Sequence, residues 1–244
     1  MASFMQALKR PFADKKALVL GTAIGALPGV NILLLGFGLA ESDRLLNNRR
    51  RPLGWWQMEG IMSKTIAAFA IIAIYFLPVI LVSMFFLGPL MKEAGGIIDN
   101  SGIGVFWLAQ WGFNPFVLSS LLMETAGKLE ALFLANLSEA LPVALLGLLF
   151  YYVLPFALVN FVKKGSLAEA FNFKIVRDSF SADYFVLWVF FHIYVYILFS
   201  ALAFFFFLPV LNFVLLGFVS FVAVTTAANL FTQVFMEKSR RLKK

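Results

Sequence analysis

Between Thr65 and Pro89 the chain runs for 25 residues without a charged side chain. As an α-helix that run is roughly 37 Å long, more than the ~30 Å hydrocarbon core of a bilayer. Segments 137–162, 184–208 and 213–235 are apolar over similar lengths. The expected fold is therefore an all-α integral membrane protein with four full transmembrane helices. Composition agrees: 61% of the 244 residues are hydrophobic, 14% are charged, and 30 are Phe. Soluble domains carry about 45–50% apolar and about 25% charged residues.

One apolar segment is too short to join this set. The arm between Lys16 and Pro28 has eleven residues and reaches about 16 Å as a helix, half a hydrocarbon core. Its partner arm, from Ile32 to Leu46, runs into Arg44 and then Arg49-Arg50-Arg51. Cations flank both bases, so both belong on the cytoplasmic side. Residues 17–47 are then expected to form a re-entrant hairpin that turns at Pro28, Gly29 and Asn31 near mid-membrane. Broken backbone at that depth survives only when buried in protein or wetted by a cavity.

The turn recurs. Leu27-Pro28-Gly29-Val30-Asn31-Ile32-Leu33-Leu34-Leu35-Gly36-Phe37 matches residues 208–218, with Pro209 and Asn212 in the turn, at seven of eleven positions. Each copy follows a basic surface segment and a Phe-(Ser)-Ala-Asp step, at Phe12–Asp14 and Phe180–Asp183. Both copies start on the same side, which predicts a parallel internal repeat. Asn31, Asn212, Asp14 and Asp183 are expected to cap the helices beside them.

The remaining segments are interfacial or external. Residues 1–16 are read as an amphipathic surface helix carrying Phe4, Met5 and Leu8, with no cleaved signal peptide expected. Trp55 and Trp56 are read as anchors at the membrane surface. Residues 92–136 form an external loop with an apolar hairpin over 105–123, anchored by Trp107 and Trp111. Residues 166–180 are read as a cytoplasmic surface helix opened by a Ser166–Glu169 capping box. With this arrangement 18 of 20 Lys and Arg fall inside and Lys92 and Lys128 fall outside. The expected setting is the cell membrane, multi-pass, with both termini cytoplasmic and the whole chain one membrane domain.

Several short segments resemble a family of multi-pass membrane proteins called domain of unknown function 4013. They are Phe12, Leu27-Pro28, Gly36-Phe37, Glu41, Arg44, Pro52, Trp55 and Gly60, then Tyr152–Pro155, Ser166–Phe171 and Asp183-Tyr184. The resemblance covers nearly the whole chain and implies a topology, since the family carries no established activity. Family members carry an acidic loop after the first hairpin, whereas Asn47–Arg51 here is basic.

Chemistry-bearing residues are scarce. The chain has no Cys and one His, which excludes disulfides, thiolate nucleophiles and a multi-His metal site. Neither a metal nor a cofactor is expected. Asn31, Glu41 and His192 are the candidate ligand or ion sites, because polar groups within membrane segments mark pathways by default. The plainer readings are a helix cap for Asn31, an ion pair with Arg44 for Glu41, and a neutral, hydrogen-bonded imidazole for His192. Ser83 and Ser200 lack a glycine-rich nucleophile turn, so no enzyme is expected. The net charge of +7 lies in loops and points to anionic lipid head groups at the cytoplasmic face rather than nucleic acid. The leading expectation is a non-enzymatic scaffold or subunit of a membrane assembly, with membrane-protein partners or further copies of itself. The alternative is a transporter, channel or lipid-translocating protein built on the hairpin, and a distant third is an intramembrane enzyme.

Overall fold

The computed structural model describes residues 4–27, 29–47, 53, 55, 58–100, 127–128, 130–132, 134–205 and 208–241. Pro28, Trp56, Trp107, Trp111 and the 105–123 hairpin lie outside the described residues. Within them the chain is helical, with no strand: α1 (Phe4–Lys9), α2 (Lys15–Ala26), α3 (Leu33–Leu46), α4 (Met58–Asn100), α5 (Leu137–Lys164), α6 (Phe173–Ser179), α7 (Ala182–Leu202) and α8 (Pro209–Arg241). Four runs are long and apolar enough to cross a membrane: Glu59–Phe85 in α4, Leu137–Lys164 in α5, Ala182–Leu202 in α7 and Val210–Ser239 in α8. Their exposed faces carry large apolar side chains, among them Ile66 and Phe69 on α4 and Phe190 and Ile197 on α7. Those faces have no favourable solvent other than lipid.

The chain divides into two compact units, residues 1–73 with 151–244, and residues 74–150. In the second, Tyr75 sets its ring edge-on to Phe150 at 5.9 Å, and Gly147 lies beside Val79. The first unit is built on α8, against which α2 and α3 both lie. Hydrophobic burial does not drive helices together in lipid, so close packing must. Both arms of the hairpin supply small residues one turn apart. On α2, Gly21 faces the Phe221 ring. Gly25 meets the α8 backbone so closely that a Cβ there would lie 2.7 Å from the Gly217 carbonyl oxygen. On α3, Gly38 faces Val224 and Ala228, and the Ser42 hydroxyl donates to the Gly38 and Ala228 carbonyls at 3.1 and 3.4 Å. The matching glycine of the two repeat segments admits a neighbour in each: Gly36 takes Ile61 and Thr65 of α4, and Gly217 takes Thr22 and Ala26 of α2.

Local chemistry explains the ends. Asp14 caps α2, its carboxylate accepting from the Lys16 and Ala17 N–H groups at 2.9 and 3.2 Å. The turn after α2 uses Gly29 at φ 76°, a left-handed conformation that a Cβ penalises. The Asn31 N–H then donates to the Leu27 carbonyl at 2.9 Å, and the matching Asn212 N–H donates to the Leu208 carbonyl at 2.8 Å. Pro209 opens α8, where its missing N–H leaves no helical bond unmade.

Four expected caps differ. Asn212 lies inside the first turn of α8, which Pro209 opens, and so does not cap it. Asn31 lies inside a 3-10 turn over Val30–Ile32 with its side chain exposed, and Ile32 precedes α3 without a side-chain cap. Asp183 sits within the first turn of α7, where it complements the helix dipole rather than capping. Ser166 makes no side-chain cap bond. Residues 167–171 form a 3-10 turn, and Asn172 caps the separate helix α6 by accepting from the Lys174 N–H at 3.0 Å. Asn172 competes locally for the backbone, which divides the expected surface helix in two.

Candidate functional site

Glu41 is a buried carboxylate of the first unit. It lies on the buried face of α3, and its side chain is only 2% exposed. Its expected partner, Arg44, is one turn away, but one carboxylate oxygen instead accepts from Arg10 Nε at 2.5 Å. Arg10 sits on the 3-10 turn that follows α1, which places it beside α3 across 31 residues of sequence. The other oxygen accepts from the Leu53 N–H at 3.0 Å. A charge held this deep requires both a countercharge and hydrogen bonds, and this arrangement supplies them. The space beside Glu41, between Phe37, Phe221 and Thr225, is about 10 Å³. That volume holds one water at most.

Trp55 belongs to the same node. The expected surface anchor is a core residue, 4% exposed. Its ring stacks on Phe37 at 4.5 Å between centroids, and its Nε1–H donates to the Ala17 carbonyl at 3.1 Å. An indole is buried without penalty when its single donor finds an acceptor, and here α2 supplies one. Phe37 in turn lies against Phe221 of α8. Glu41 and Trp55 thus join the N-terminal turn, the hairpin and the segment before α4.

His192 and Asn31 do not meet Glu41 in a shared site. His192 Nδ1 lies 2.6 Å from the Trp188 carbonyl and Nε2 lies 2.8 Å from the Tyr151 hydroxyl. A carbonyl only accepts, so Nδ1 donates to Trp188, and Nε2 pairs with the Tyr151 hydroxyl, which can donate or accept. Both nitrogens are thereby satisfied within α5 and α7.

Three features escaped the sequence reading. Tyr184, fully buried, donates to the Tyr152 carbonyl at 2.6 Å, while Tyr152 donates to the Ser179 carbonyl at 2.8 Å. These bonds tie α7 to α5 and α5 to the end of α6. On α8, Thr225, Asn229 and Thr232 are buried at i, i+4 and i+7, a polar stripe visible in the sequence as one helical face. A cavity of about 420 Å³ opens where the C-terminal ends of α5 and α8 meet α6. Lys163, Lys164, Lys174 and Lys238 stand around it. The Lys pair at 163–164 was legible as a span terminus. Lys238 was legible as part of a basic tail, but nothing local announced that the two converge.

The family model described as Protein of unknown function (DUF4013) matches residues 19–208, well over half of the chain. No curated protein and no solved structure matches it. The matched segment runs from within α2 to Leu208, the residue before α8. The chain belongs to this family.

Proposed function

We propose that this member of the DUF4013 family is a non-enzymatic membrane protein that serves as a scaffold or subunit of a membrane assembly. The observation that carries the reading is the state of Glu41. The carboxylate best placed to handle an ion or substrate is occupied by Arg10 and the Leu53 N–H, beside a space of about 10 Å³. A transport path needs a polar, water-reachable cavity at such a group. His192 is likewise committed to internal hydrogen bonds.

The reading includes a topology. The helices α2 and α3, of 12 and 14 residues, reach about 18 and 21 Å and form a re-entrant hairpin buried against α8. Lys15, Lys16 and Arg44 at its base, with Lys163, Lys164 and the basic end of α8, lie on the cytoplasmic side of the cell membrane. The equal turn bonds at Asn31 and Asn212, and the equal use of Gly36 and Gly217, support a parallel duplication.

Extraction of the tagged protein into native-lipid nanodiscs tests the role. A stoichiometric membrane-protein partner, or a defined homo-oligomer, is expected. A monodisperse monomer would overturn the reading, as would ion or lipid flux in proteoliposomes that Glu41→Gln abolishes. That flux would favour the transport alternative, for which the buried Thr225–Asn229–Thr232 stripe is the supporting observation.

A further inference from the structure

We propose that the cavity between α5, α6 and α8 binds the phosphate of an anionic lipid head group. The inference rests on the reading that α5 and α8 span a bilayer with these ends at its surface. The cavity, about 420 Å³, falls within the range of small-molecule sites. Its walls carry four ammonium groups, from Lys163, Lys164, Lys174 and Lys238, against two carboxylates, from Glu169 and Asp178. The excess is cationic. Both helix ends present their negative poles here, which disfavours an anion, so the lysines must outweigh them.

The walls are positioned rather than loose. Lys163 Nζ lies 3.2 Å from Ser239 Oγ and 4.9 Å from the centre of the Phe235 ring. Lys238 Nζ donates to the Asp178 carbonyl, which draws α8 onto the end of α6. Asn160, buried, donates to the Glu169 carbonyl at 2.8 Å, and Asn172 donates to the Glu169 carboxylate at 3.4 Å. That second bond engages part of the negative charge. Lys164 and Lys174 remain exposed at the rim.

Below the lysines the floor is apolar: Phe156, Ile175 and Phe235 are all buried. Cations above an apolar floor, at the basic end of two spans, match a molecule with a phosphate at one end and acyl carbon at the other. A free phosphate would use the lysines and leave the floor unmatched.

The test uses the full chain in nanodiscs of phosphatidylcholine with a minor fraction of phosphatidylglycerol. Native mass spectrometry after gentle release counts retained lipid. Preferential retention of phosphatidylglycerol is expected. The Lys164→Gln/Lys174→Gln variant should weaken it roughly 25-fold, about fivefold per lysine near the surface. Lys9→Gln/Lys15→Gln removes two exposed cations that do not line the cavity and should weaken retention far less than the cavity pair. Equal loss in both double variants, or loss in neither, would overturn the site. Displacement of the lipid by millimolar inorganic phosphate, at unchanged ionic strength, would overturn the lipid as the phosphate source. Partner or oligomer recovery is measured on the unsubstituted chain, so failure here is distinguishable from failure of the scaffold reading.

Discussion

Removing one partner of the Arg10–Glu41 pair is the perturbation that most directly tests the first unit. The Glu41 side chain is 2% exposed and that of Arg10 is 16% exposed. In Arg10→Met the carboxylate keeps the Leu53 N–H but loses its countercharge where water cannot replace it. Breaking a buried pair from one side costs about 3–5 kcal/mol. Glu41→Gln is expected to cost less, about 1–3 kcal/mol, because Gln still accepts from Leu53 and the guanidinium reaches some solvent. In Arg10→Met/Glu41→Gln no buried charge remains. The double variant should therefore be more stable than Arg10→Met by about 2 kcal/mol, which with the cost of Glu41→Gln makes the coupling about 3–5 kcal/mol, at or above the upper end for residues in contact. The assay is equilibrium unfolding in mixed micelles, with Trp55 among the fluorescent reporters. Single variants within about 0.5 kcal/mol of the parent, or strict additivity in the cycle, would refute a load shared between these two side chains.

Three further outcomes follow from the packing of α2 and α3. Gly25→Ala should destabilise the protein by about 1–3 kcal/mol, because the new Cβ meets the Gly217 backbone at 2.7 Å and backbone cannot step aside; unfolding in mixed micelles measures it. Gly38→Cys/Ala228→Cys should form a disulfide under mild oxidation, since a Cβ at 38 lies 3.6 Å from that of 228. The chain has no native Cys, so one mobility shift on a non-reducing gel reports it. Trp55→Phe keeps the ring on Phe37 but loses the bond to Ala17, and should cost about 1 kcal/mol in the same unfolding assay.

How far the sequence reached differs between elements. The four apolar runs were legible because spanning demands length and composition, both local properties. The Asp14 cap and the existence of a turn between Ala26 and Leu33 were legible because both are built by residues a few places apart, although Asn31 in that turn does not cap α3. The surface segment at 166–180 was misread as one helix, because Asn172 offers a competing local hydrogen bond. Candidate residues fared according to how distant their partners are. His192 has the hydrogen-bonded environment expected of it, with one partner a turn away on its own helix. Glu41 was paired with Arg44 because proximity in sequence was the only available guide. Trp55 was given to the membrane surface because an indole beside a basic loop usually sits there.

Length and apolarity are written along the chain, and they alone determined that this protein has four helices long and apolar enough to cross a bilayer. Tertiary structure decided what lies against each buried face. It put Arg10 on Glu41, the Ala17 carbonyl on Trp55, Gly217 on Gly25, and Lys163 near Lys238. Helical periodicity specifies which face of a helix is turned inward. In a chain this uniformly apolar it carries no information about which of several similar faces will meet it. That choice falls to shape, to the small residues that let backbones touch, and to the few buried charges that must find each other.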